Sequence, residues 1–153
     1  MAEQMFPVIP AGIPAQAGEQ IGCAPAFAFY DPSSRAGEFE LVDGAPRVRV
    51  GVAAVRGWFE LTLRQTPDAI PVYRTDGTAK IGIDRTLLRR GLPEGFVYAE
   101  VERQIRDTAS FCPAVRTVDT FRFTRLRRGL QVEFTARLHT GESTEVMTHV
   151  ERE

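Results

Sequence analysis

Strict alternation near the C-terminus restricts this chain more than any other feature. Leu130, Val132, Phe134, Ala136 and Leu138 alternate with Gln131, Glu133, Thr135, Arg137 and His139. Further on, Val146, Thr148 and Val150 alternate with Glu145, Met147 and His149. A period of two sends successive side chains to opposite faces, so each segment reads as a half-buried strand. Ahead of them, Val118, Phe121 and Phe123 lie in a β-branched and aromatic run, with Arg127-Arg128-Gly129 and Thr140-Gly141-Glu142 as turns. The expectation is a three-stranded antiparallel meander with one apolar and one polar face. A charge at Phe134 would fall in its core and is expected to unfold the domain.

Two segments carry helical spacing. In residues 51–65, Val52, Val55, Phe59 and Leu63 share one side, and Arg56, Glu60 and Arg64 recur every four residues on the other. Pro67 ends that helix. From about Pro93 to Ser110, Val97, Val101 and Ile105 repeat every four residues, with Thr108 and Ala109 continuing the face. Glu94 and Glu100 come early and Arg103 and Arg106 late, an order that suits the helix dipole. Between the helices the chain is irregular, except that Asp84 to Gly91 reads as a capped helix of one or two turns.

Residues 1–34 hold five of the ten prolines and show neither period. They suit neither a helix nor an interior strand. Yet Met5, Phe6, Val8, Ile9, Ile13, Phe27, Phe29 and Tyr30 make the segment too apolar for an ordinary solvated tail. It reads as an extended arm, residues 1–37, lying on its own domain or on a neighbour. Next, Phe39 and Leu41 alternate with Glu38 and Glu40, and Val48 and Val50 with Arg47 and Arg49, around Asp43-Gly44. That pattern is a β-hairpin with opposed Glu and Arg on its wet face, and Pro46 suggests a loop longer than two residues. The order is hairpin, helix, linker, helix, meander. The expected fold is α+β: a small antiparallel sheet of hairpin and meander covered by two main helices, over residues 38–153.

Composition narrows the function. A chain of 153 residues, 43% apolar and 25% charged, can bury one core without disulfide or metal staples. Nineteen basic against 20 acidic residues give a formal charge of −1, which argues against a general nucleic-acid binder. The chain has no run of 18 apolar residues to cross a bilayer, and its N-terminus, with Glu3 and early prolines, does not read as a secretory signal. Cys23 and Cys112 are too few for a disulfide framework and read as unpaired thiols in a reducing compartment. Lys80 is the only lysine, which suits forked arginine contacts to carboxylates but suits better a genomic bias toward arginine codons.

Catalytic patterns are scarce. His139 and His149 both point to the polar face of the meander and could approach each other, but no ligand spacing accompanies them, so no metal or cofactor is expected. The serines form no nucleophile elbow. Glu60, Glu94, Glu100, Glu102 and Glu133 fall on wet faces beside arginines, whereas a general acid needs an apolar setting. The sharpest charge feature is Arg122, Arg125, Arg127 and Arg128. Residues 85–137 hold eleven Arg and six acids, while residues 1–50 and the last fourteen are acidic in balance. Such segregation suits docking between protein subunits, although Arg127 and Arg128 read equally well as a solvated hairpin tip.

From about residue 38 to 150 the chain resembles the sheath initiator family, a baseplate wedge component of contractile phage tails and related contractile injection systems. The resemblance runs from Phe39-Glu40-Leu41-Val42-Asp43-Gly44 through Val50-Gly51 into the helix with Val55, Trp58, Leu61 and Leu63. It continues in Leu63-Arg64-Gln65-Thr66 and Pro71-Val72-Tyr73. It takes in the second helix with Val101, Glu102, Ile105 and Ala109, and the strand entry at Pro113, Val115 and Val118. Phe121, Gly129, Leu130, Val132, Phe134 and Thr140-Gly141 complete it. Where many members carry an aromatic-Gly pair in the linker, this chain has Asp76-Gly77 or Ile81-Gly82.

The resemblance implies a structural, non-enzymatic protein, present in multiple copies in a ring of the virion baseplate around the tail tube. It would be assembled in the host cytoplasm, with no cofactor, nucleic acid or membrane partner. Its partners would be the tail sheath protein, baseplate wedge subunits and the tail tube. Terminal extensions of the first sheath ring would add strands to its sheet. The residues expected to meet the sheath strand are Gln131, Glu133, Thr135, Arg137, Glu145, Met147 and His149. Those expected to meet tube or wedge are Arg122, Arg125, Arg127 and Arg128. Two other readings stand beside it. A small tail or tube adaptor would bind ring-forming partners but not sheath. A tail-associated cell-wall hydrolase would need a carboxylate in a pocket.

Overall fold

Six short strands precede the first helix: β1 (Cys23–Pro25), β2 (Phe27–Phe29), β3 (Gly37–Phe39), β4 (Leu41–Val42), β5 (Ala45–Pro46) and β6 (Val48–Val50). The computed structural model describes residues 23–30, 37–74, 76–89 and 91–151; the arm ahead of residue 23 lies outside them. The six strands form three antiparallel ladders, β1 with β6, β2 with β3 and β4 with β5. The chain bends at Ala26, Glu40 and Arg47, and each arm of a bend pairs with a different segment. A ring of backbone hydrogen bonds ties the bends together. The Ala26 amide donates to the Arg47 carbonyl at 2.7 Å, the Arg47 amide to Glu40 at 2.7 Å, and the Glu40 amide to Ala26 at 2.9 Å. Groups that three ladder ends would leave unpaired thus satisfy one another.

This arrangement corrects the expected hairpin. Only its tip forms, with Leu41 opposite Pro46 and Val42 opposite Ala45. The loop is two residues long, not longer, because Asp43 and Gly44 both take positive φ, 51° and 78°, as a tight primed turn requires. Beyond the tip the strands part, and residues 23–29, expected to lie as an extended arm and not as an interior strand, enter between them as β1 and β2. Glu40 still meets Arg47 at 3.4 Å and Arg49 at 3.1 Å.

The helix α1 (Val52–Thr62) buries Ala54, Val55, Phe59 and Thr62. Arg49 on β6 reaches its Glu60 at 3.6 Å, and the Arg64 guanidinium lies 3.5 Å over the Phe29 ring. These contacts fasten the three-ladder junction to α1. In the linker, Asp84 caps a 3-10 turn, Arg85–Leu88, by accepting from the Thr86 amide at 2.9 Å. The helix α2 (Glu94–Ala109) buries Val97, Val101, Ile105 and Ala109, with Gln104 and Thr108 beside them. Those two polar groups hold the linker: Thr108 Oγ1 accepts from the Gly82 amide at 3.0 Å and Gln104 Oε1 from the Asp84 amide at 2.7 Å.

The meander is β7 (Val115–Leu126), β8 (Gly129–Leu138) and β9 (Ser143–Glu151), antiparallel in that order. Among the described residues it forms a sheet of its own, separate from the N-terminal ladders, where a single sheet was expected. α1 packs on β9 and α2 on β7. Together they cover the face carrying Leu130, Val132, Phe134, Ala136, Leu138, Val146 and Val150. Phe134 is 2% exposed, with the Phe59 ring 5.2 Å away. The fold is α+β, two helices over one face of a small antiparallel sheet.

Candidate functional site

A three-stranded sheet has two rims, and their backbone groups decide what each can accept. One hydrogen bond fixes the phase. The Leu138 amide donates to the Glu142 carbonyl at 2.9 Å, while the Gly141 amide donates to Leu138 at 3.1 Å with Gly141 at φ 90°. This is a three-residue loop closed by a glycine bulge. Antiparallel ladders alternate bonded and non-bonded pairs. From Leu138 opposite Glu142, the bonded pairs are therefore Ala136 with Thr144, Phe134 with Val146, Val132 with Thr148 and Leu130 with Val150. The amides and carbonyls of Glu145, Met147 and His149 consequently point away from β8, toward the outer rim.

That rim is regular. β8 and β9 pair through nine consecutive positions without a register shift. β9 contains no proline, lysine or bulge, the usual guards of an edge. Among the described residues no strand pairs with it. Met147, at its middle, is 47% exposed.

The opposite rim, β7, is interrupted. Its register shifts between Val115 and Thr117 and again between Asp119 and Arg122, where Thr120 takes φ 57°. The second bulge turns Phe121 and Phe123 toward the core, where Phe121 stacks on Phe134 at 5.6 Å. A bulged edge is a poor template for a further strand. The signal for it was a break in parity: Val118 and Phe121 cannot share a face of an unbroken strand.

The expected contact residues fall into two groups. Gln131, Glu133, Thr135 and Arg137 lie on β8, the central strand, which is paired on both sides. Their backbones cannot receive a further strand, which corrects the expectation that residues 130–138 carry the docking edge. Their side chains form the polar face beside β9, with Gln131 opposite His149, Glu133 opposite Met147 and Thr135 opposite Glu145. The histidines do not meet: His149 pairs with Gln131, whereas His139 follows the other end of β8 and donates its amide to Ala114 at 3.1 Å.

Ion pairs pattern the rest of this face. Asp119 accepts from Arg137 at 2.6 Å, and that hydrogen bond holds its carboxyl below the usual value. Arg122 lies 3.7 Å from Glu133. On α2, a hydrogen bond from Arg103 likewise pushes Glu100 down. Both shifts run opposite to what a general acid requires. Arg125 approaches Glu94 at 3.9 Å, and Arg127 and Arg128 occupy the exposed β7–β8 turn. Arg127 and Arg128 thus stand at the Gly129 end of the sheet, whereas Arg122 lines one cleft with Glu133, Glu145 and Met147 beside the β9 rim.

Comparisons with protein-family models, with curated proteins and with solved structures found no match.

Proposed function

We propose that this chain is a structural baseplate component of a contractile tail, a sheath initiator that templates the first sheath ring by accepting a strand at β9. The observation that carries the reading is the asymmetry of the two rims. β7 is bulged twice, whereas β9 is regular and holds neither proline nor lysine. Outward amides of Glu145, Met147 and His149, with the carbonyls of Met147 and His149, would supply affinity, and the alternate side chains would set register. The resemblance over residues 38–150 supplies the identity of the incoming strand, a terminal extension of a sheath subunit. Copies in a ring around the tube would present one such rim per subunit, in a virion assembled in the host cytoplasm. Arg122, Arg125, Arg127 and Arg128 then face a wedge or tube neighbour.

The test is capture of purified sheath subunits by the wild-type chain and by Met147→Pro. The substitution removes one outward amide and leaves the β8–β9 bonds intact. Loss of capture, and of sheath growth from assembled baseplates, is expected. Undiminished capture by a folded Met147→Pro protein refutes docking at β9. A wild-type chain that binds ring-forming tail proteins but not sheath is instead the adaptor.

A further inference from the structure

Where the linker, the start of α2 and the β7–β8 turn converge, the helical layer leaves a notch of about 220 Å³. Its apolar walls come from all three elements: Leu87 and Leu88 from the 3-10 turn, Leu92 from the end of the linker, Val97 from the first turn of α2, and Leu130 from β8. Arg89, Glu94, Tyr98 and Arg125 stand around it. The Tyr98 hydroxyl donates to the Glu94 carboxylate, and Arg125 approaches the same group at 3.9 Å. Glu94, the only acid among the described lining residues, thus already has two partners. Arg127 and Arg128 lie exposed just beyond, with no carboxylate within ion-pair distance among the described residues.

We infer that this notch takes one apolar side chain of an acidic segment in a neighbouring protein, with Arg125, Arg127 and Arg128 pairing to the acids around it. The volume is below that of a typical small-molecule pocket. It suits a single anchoring side chain, the usual centre of a protein contact. The charge selects the flanking residues: Arg125 near the end of β7 and Arg127 and Arg128 on the turn stand against one committed carboxylate, so an acidic segment is attracted and a basic one repelled. A nucleic acid would use the arginines but leave the apolar walls unfilled. The inference gives a partner chemistry to the arginine surface assigned above to a wedge or tube neighbour. It rests on that reading only for the partner's identity, and it is independent of strand addition at β9.

A labelled synthetic peptide with acidic residues flanking a central Leu-Phe pair serves as the probe, measured by fluorescence anisotropy with the full chain. Saturable, salt-sensitive binding is expected. Replacing Leu-Phe by Ser-Ser should weaken it by about tenfold or more, as should Leu88→Glu or the double substitution Arg127→Glu with Arg128→Glu. The double substitution lies on an exposed turn, so it remains informative if Leu88→Glu proves unfolded. Three results overturn the inference: binding indifferent to the arginines, equally tight binding of single-stranded oligothymidylate, or binding only after residues 1–22 are removed, which would make this chain's own arm the occupant. Sheath capture reports separately. Loss of capture in Met147→Pro with peptide binding intact leaves both readings standing, while failed peptide binding with intact capture removes only this one.

Discussion

The Ala26 amide donates to the Arg47 carbonyl across 2.7 Å, and Ala26 is wholly buried. That bond closes the ring in which the three N-terminal ladders meet. Gly37, on the β2–β3 ladder, has no room for a side chain: a Cβ would stand 2.2 Å from the Ala28 oxygen and 2.6 Å from the Phe27 ring. Gly37→Ala should therefore open that ladder and loosen the ring while the meander stays closed. Hydrogen exchange should quicken at residues 27–29 and 37–40 and stay unchanged at 129–151. Protection unaltered at 27–29 would contradict the pairing.

Proline substitution along β9 should alternate in effect. At Met147 the lost amide faces outward, so the melting temperature should fall only slightly. At Thr148 the amide bonds to Val132, and its loss leaves that buried carbonyl unpaired, at a cost of about 1–3 kcal/mol. Thr148→Ala controls for the side chain. Equal losses at the two positions would mean that the bonding phase set by Leu138 and Glu142 is wrong.

Thr148 also carries a fully buried hydroxyl with no hydrogen-bond partner among the described residues. Valine has the same shape without the hydroxyl. Thr148→Val should stabilise the chain by about 1–3 kcal/mol, because a buried group left unsatisfied bears its whole desolvation penalty. Denaturant titration measures it, and a lower midpoint at an unchanged slope would indicate that the hydroxyl is satisfied.

Acid should weaken the domain partly through Glu100. Hydrogen bonding from Arg103 holds its folded pKa below the ordinary glutamate value. A depressed carboxylate pKa contributes stability that is fully present above the unfolded pKa and is lost as pH falls through the folded one. Arg103→Met should leave the acid limb of stability against pH shallower below the ordinary glutamate range. Because Arg103 is half exposed, the effect should be small and should shrink in salt. An unchanged acid limb at low salt would remove Glu100 as a contributor.

Local periodicity made the helices and the meander legible. Val97, Val101 and Ile105 mark a helix stripe whoever their neighbours are, and Leu130 to Leu138 mark a strand face, because these patterns depend only on the turn per residue. The same periodicity assigned Met147 and His149 to the outer face of β9.

Side-chain patterning thus settles which residues form each helix and each C-terminal strand, and which side chains face inward. It took tertiary contacts to part the N-terminal hairpin with residues 23–29, to leave β9 a rim that no described strand covers, and to open an apolar notch beside Arg125. These are pairings between distant segments, made largely by backbone amides and carbonyls. Those groups are the same in almost every residue, so side-chain patterning cannot say which of them will meet.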